Sequence, residues 1–211
     1  MSFRRYYLDR MLHDMEFYGR VLDVGGRKIR KRGDFTPPAD KVESWQYLNI
    51  DASSNPDYLS SADKIPVEDN FFDMVIMTEV LEHLENPEDA LKEVYRVLKH
   101  NGKLVASMPF LNSIHKGPHD FQRWLPDRLR RELQKTGFEA EKIEPMGGIA
   151  AVISDLIIKY TYQHPTLLNR LLRKLVRIQA PLIKALDSKT QRKDIITTGF
   201  FIIAVKRLRD G

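Results

Sequence analysis

Three stretches of this sequence carry side chains suited to chemistry. The first is Asp23-Val24-Gly25-Gly26, where paired glycines let the backbone approach a ligand that a side chain would obstruct; such turns also serve packing alone. The second is Asp51, at the end of the next apolar run. A carboxylate there is placed to accept hydrogen bonds from ribose hydroxyls, or to cap a helix. The third is the loop holding His115, His119 and Asp120, followed by Arg123 and Trp124. A histidine titrates near neutrality and takes up a proton from an acceptor, and an adjacent carboxylate orients it. The alternative is that His119, Asp120 and Arg123 only fasten the loop to the body. No further cluster completes a coordination shell around His115, His119 and Asp120, so no metal is expected.

The elements that must position these groups are apolar runs ending in polar residues. Strands are predicted over 21–24, 47–50, 73–77, 103–108, 138–143 and 199–205. Helices are predicted over 2–17 and over 86–98, the latter opened by Asn86-Pro87 with Ala90, Leu91, Val94 and Leu98 on one face. Alternating strands and helices argue for a doubly wound, mainly parallel α/β sheet that binds ligands beyond the carboxyl ends of its strands. Asp23, Asp51 and Glu79 fall at that edge. Gly33 and Pro37-Pro38 leave little room for a helix between the first two strands. A chain of 211 residues with 42% hydrophobic content forms one domain, 1–211. Residues 1–19 are expected to add a helical extension, and 150–193 a helical insertion.

The ordered combination of segments from about residue 20 to 148 resembles the class I S-adenosylmethionine-dependent methyltransferases, of the type 11-like group. The segments that carry it are Asp23 to Gly26, Ser61 to Pro66, Asn70 to Val75, Glu79 to Leu84, Asn86-Pro87, Glu93 to Lys99 and Asn101 to Lys103. The resemblance implies a Rossmann-like, mainly parallel seven-stranded sheet and S-adenosylmethionine as cofactor. It also assigns roles: Asp23, Gly25 and Gly26 at the methionine portion, Asp51 at the ribose, Ala62 and Asp63 beside the adenine, and Thr78, Glu79 and Val80 as walls. His83 is expected at a helix end beside this pocket rather than as a base.

Two positions depart from the family pattern. Arg27 stands where the last glycine of the turn usually is, and either crowds the methionine end, turns outward or meets the cofactor carboxylate. Ser61 stands where an aspartate often binds the adenine amino group. Methyl transfer needs an aligned nucleophile and, for a protonated acceptor, a general base. His119 is the first choice, His115 the second, with Asp120 supporting; Arg123 and Trp124 are placed for substrate. The loop also resembles a subgroup often associated with bacterial polysaccharide biosynthesis.

In the insertion, Leu168, Leu171, Leu172, Leu175, Ile178, Leu182 and Leu186 recur at helical spacing among Arg170, Arg173, Lys174 and Arg177. Residues 149–193 hold nine basic groups against two acidic ones, a local balance of +7 where the whole chain carries +5. Such a stripe packs on its own domain, forms a homodimer, or lies on an anionic membrane. The absence of cysteine, of an export signal and of a spanning apolar run points to the cytoplasm, with a peripheral place at the inner membrane face open. The acceptor is expected to be a small molecule, a saccharide or a lipid-linked compound. Nucleic acid is disfavoured, since no nucleic-acid module and no Asn-Pro-Pro-aromatic run is present. A non-catalytic S-adenosylmethionine-binding scaffold is the alternative.

Overall fold

The structure is a computed structural model that describes residues 2–29, 32–115, 117, 119–190 and 195–207. In chain order the first elements are α1 (Phe3–His13), β1 (Arg20–Val24), β2 (Ser44–Asn49), β3 (Tyr58–Leu59), β4 (Phe72–Thr78), α2 (Pro87–Val97) and β5 (Leu98–Pro109). They are followed by α3 (Pro126–Thr136), β6 (Phe138–Pro145), α4 (Ile149–Gln163), α5 (Leu167–Ile178), α6 (Ala180–Lys189) and β7 (Gly199–Lys206).

The strands form one seven-stranded sheet in the order β3-β2-β1-β4-β5-β7-β6. The first five pair in parallel, and β7 runs antiparallel to both β5 and β6, so the mainly parallel sheet is in fact mixed. Register explains the reversal. Gly199 at the start of β7 lies opposite Pro109 at the end of β5, and Phe200 lies opposite Pro145 at the end of β6. The insertion therefore leaves and re-enters the sheet at the same edge, and a strand entering there must run back against its neighbours. That edge is also where β1 and β4 end. These strands are adjacent, with Asp23 opposite Ile76, and the chain order reverses there. Such a switch point leaves a crevice for ligands.

Alternation along the strands divides the core in two. Leu22, Val75, Met77, Leu104 and Ala106 face α2 and α3 through Leu91, Val94, Leu129 and Leu133. Val21, Met74, Ile76 and Val105 face the opposite way, against Leu8 and Leu12 of α1 with Phe17, Phe35 and Trp45. Among the described residues between β1 and β2 none is helical. Thus α1 covers the sheet where a helix after β1 would otherwise pack.

The helices of the insertion are fastened by buried carboxylates at helix starts, which satisfy amides lacking an intrahelical partner. Asp187 of α6 accepts from the amides of Gly148 at 2.6 Å and Ala150 at 3.0 Å at the start of α4. Asp155 of α4 accepts from Phe3 and Arg4 at the start of α1. Phe3, Ala151, Val176 and Ile183 close a small core between them. The outer side of α5 is different: Leu167, Leu168, Leu171, Leu175 and Ile178 are each more than half exposed.

Candidate active site

A cavity of about 490 Å³ opens at the switch point. Its floor is the turn after β1. The Gly25 amide donates to the Leu48 carbonyl at 2.8 Å, and the Asn49 side-chain amide donates to the carbonyls of Gly25 at 3.1 Å and Gly26 at 2.9 Å. Asn49, which sequence reasoning passed over, thereby ties the glycine turn to the end of β2. Gly25 has φ +79°, and a Cβ on it would lie 2.7 Å from a methyl of Val80. A Cβ on Gly26 would lie 2.3 Å from the carboxyl carbon of Asp23. Both glycines are therefore required by space, and Asp23 folds over the turn into the cavity.

The guanidinium of Arg27 lies 3.3 Å from the Asp51 carboxylate, so it turns toward the end of β2. Asp51 also accepts from the Ser53 amide at 2.9 Å, which caps the short turn Ala52–Ser54. Arg27, Asn49 and Ile50 line the cavity, and Asp51, next in sequence, is not among its lining residues. Ser60, Ser61 and the buried Ala62 form a side wall, while Asp63 accepts the Ser61 hydroxyl outside it. This wall is clamped from α2. Glu93 accepts the Ile65 amide at 3.0 Å, and Arg96 donates to the Ile65 and Val67 carbonyls and to Glu93 itself. The bond from Arg96 holds the Glu93 carboxyl below its ordinary range, against the opposing effect of burial.

Thr78, Glu79 and Val80 form the wall after β4. Glu79 has φ +59°, sparsely populated for a residue with a Cβ. Its amide donates to the Ser107 hydroxyl at 3.0 Å, and its carboxylate pairs with Arg4 of α1. Burial lowers the Arg4 guanidinium to about 10, partly offset by the charges of Glu82 and Asp155. Arg5 and Leu12 of α1 also line the cavity, so the N-terminal helix helps enclose it.

On the far side lie Gly117, His119 and Phe121. The loop is pinned beneath the cavity by the Phe121 amide on the Glu82 carbonyl at 2.8 Å and by Gln122 on the Leu84 carbonyl at 2.8 Å. Asp120 accepts the His115 amide at 2.9 Å and a bidentate pair from Arg123. The Arg123 bonds push its carboxyl down to about 2, against desolvation. Of the acceptor-side residues expected from sequence, His119 reaches the cavity. His115, Asp120 and Arg123 form the loop's internal clasp, and Trp124 is buried in the core.

Residues 39–106 match a family profile described as a methyltransferase domain. The chain is 36% identical over 102 residues to a ubiquinone/menaquinone biosynthesis C-methyltransferase of Pseudomonas savastanoi, a match spanning 41% of this chain and 40% of that protein. A protein of the same description from Pseudomonas fluorescens is 36% identical over 66 residues, 31% of this chain and 26% of its own. The chain thus spans less than half the length of these relatives. In fold it is similar to an S-adenosylmethionine-dependent methyltransferase of Archaeoglobus fulgidus, with TM-score 0.58 and 19% identity over 96% of this chain and 92% of that one. It is also similar to the [4+2]-cyclase SpnF, with TM-score 0.62 and 16% identity over 96% and 80% of the two chains. The fold is that of the Rossmann-like methyltransferases. A cyclase among its neighbours means that the reaction has to be argued from the site.

Proposed function

We propose that this chain is an S-adenosylmethionine-dependent methyltransferase. The observation that carries the reading is the cavity-lining turn of Gly25 and Gly26, where a Cβ would press on Val80 or on Asp23, next to the Arg27–Asp51 edge and the Ala62 wall. These surfaces suit the methionine, ribose and adenine parts of one nucleoside, and a cavity of about 490 Å³ falls within the usual size of small-molecule sites. When bound, the cofactor supplies an electrophilic sulfonium methyl. Asp23 would meet its amino-acid end over the glycine turn, Asp51 the ribose, and Ser61 to Asp63 would flank the base. His119 stands across the cavity from the turn and takes the proton of an acceptor hydroxyl or amine. Enclosure by α1 and the His119 loop keeps water from the methyl.

The acceptor is a small molecule, and a lipid-linked one fits best, because the insertion presents exposed leucines flanked by Arg170 and Lys174. That surface lays the protein against an anionic membrane. A saccharide carried on such a lipid has the same access, although none of the relatives named above concerns polysaccharide. Calorimetry with S-adenosylmethionine and S-adenosylhomocysteine tests the cofactor, and labelled methyl transfer to lipid, glycan and metabolite fractions tests the acceptor. Absence of binding to either nucleoside removes the reading; binding without transfer to any fraction favours a scaffold.

A further inference from the structure

We propose that Glu82, His83 and His115 form a site for one divalent transition-metal ion, of which zinc is the reference occupant. Glu82 lies in the one-turn helix Leu81–His83 that follows β4, and it is fully buried. Neither of its carboxylate oxygens has a hydrogen-bond partner among the described residues. Buried carboxylates are normally satisfied, so this one calls for a positively charged occupant in front of it.

Two imidazoles supply the remaining ligands. The Nε2 atoms of His83 and His115 each lie 3.7 Å from Glu82 Oε1, too far for a hydrogen bond. The edge of a tetrahedron with ligands about 2.0–2.1 Å from its centre is about 3.4 Å, so the observed spacing needs only a small contraction. One ligand atom from each of the three residues falls within 4.8 Å of the others.

A carbonyl or carboxylate oxygen faces the outer nitrogen of each ring. His83 Nδ1 donates to the His119 carbonyl. His115 Nδ1 faces the Ser113 carbonyl at 3.4 Å and the Asp120 carboxylate at 3.6 Å. With the proton on Nδ1 in both rings, both Nε2 lone pairs turn toward Glu82. A metal-binding histidine characteristically gives its other N–H to a carbonyl or carboxylate in this way. Arg4, the nearby cation, pairs with Glu79 and acts on Glu82 by its charge, without a hydrogen bond to that carboxylate. Two nitrogens and one carboxylate oxygen suit zinc, cobalt, manganese or iron and leave a position for water or an oxygen ligand. Of the three ligands, His83 also lines the cavity. The sequence hid the site because its ligands come from two loops, and the cluster weighed there, His115 with His119 and Asp120, holds only one of them.

The test is metal titration of the full chain after dialysis against a chelator, with zinc and cobalt(II) followed by calorimetry and by visible absorption. One equivalent should bind, with the cobalt bands of a low-symmetry nitrogen and oxygen site. Zinc should shift the ring resonances of His83 and His115. His115→Asn, at a partly exposed position, should weaken zinc at least about a hundredfold without lowering the melting temperature, and Glu82→Gln should do the same if it folds. His13→Asn should change nothing. The proposal is overturned if neither metal binds below millimolar concentration, or if binding survives His115→Asn with the histidine resonances unmoved. These readouts do not depend on methyl transfer.

Discussion

Asp155 on α4 accepts the main-chain amide of Phe3 at 2.7 Å across 152 positions of sequence. One carboxylate thereby joins the insertion to the helix that carries Arg5 and Leu12 to the cavity. Asp155→Ala removes a helix cap, a loss of about 0.5–2 kcal/mol, and should lower the melting temperature by a few degrees. Cofactor affinity should fall with it, since α1 is part of the enclosure. A variant with unchanged melting and unchanged affinity would show that the insertion and the cavity are independent.

The Asp51 edge gives a sharper test of the cofactor assignment. Asp51→Ala should weaken S-adenosylmethionine and S-adenosylhomocysteine alike by about 1.5–3 kcal/mol, the range for hydrogen bonds to a charged group. Arg27→Ala, which leaves that carboxylate in place, should weaken them less. Equal affinity in a folded Asp51→Ala variant would return Asp51 to the role of a turn cap only.

Much of this arrangement was legible because apolar runs and their polar ends are local signals. Six of the seven strands stand out in the sequence; the missing β3 has two residues, one of them Leu59 at 62% exposure, too short and too exposed to show a pattern. The helix α3 was missed although its signals are present: Pro126 at its start, buried Leu129 and Leu133 four apart, and Gly137 at its end. The long-range parts had no local signature. Nothing near Asn49 marks it as the partner of two carbonyls some two dozen residues earlier, and nothing in 2–17 marks Arg5 and Leu12 as cavity residues. The direction of β7 likewise depends on where the insertion re-enters the sheet, a property of tertiary structure.

The Glu93–Arg96 clamp predicts a pH dependence of stability. The folded pKa of Glu93 is depressed, chiefly by the bond from Arg96, so its contribution is present above the ordinary glutamate value of about 4.3. It is lost as pH falls through the lower folded value. Arg96→Ala should destabilise the protein by about 1–3 kcal/mol at neutral pH and flatten the acid limb of the stability curve. Denaturant unfolding from pH 7 to pH 3 measures both. Parallel curves for the two proteins would mean that the clamp does not set the Glu93 titration.

His119 lines the cavity with the glycine turn, its ring 5.3 Å from that of Phe121. His119→Ala should lower turnover about a hundredfold or more, as removal of a general base does, while S-adenosylhomocysteine binds as before. A matching loss of cofactor affinity would mark the residue as part of the loop's structure. Equal turnover would exclude it as the base.

The outer face of the insertion decides between a membrane and a second copy of the chain. On α5 the exposed leucines occupy one arc, Val176 is buried on the next, and the basic residues fill the remainder. Arg173 is partly committed to the body, 4.0 Å over the Tyr162 ring and 3.3 Å from the Thr161 carbonyl, so Arg170 and Lys174 are the better positions for charge reversal. Among the described residues no helix is long and apolar enough to cross a bilayer. The full chain should co-sediment with anionic vesicles and not with neutral ones, and salt should release it as screening lengths shrink. Arg170→Glu with Lys174→Glu should reduce binding while the cofactor still binds. Leu171→Ser with Leu175→Ser should reduce it further, because apolar burial and charge act together at such surfaces. If both kinds of vesicle leave the protein in solution, and its mass is that of a dimer lost in the Leu171→Ser, Leu175→Ser variant, then the face is an interface between copies.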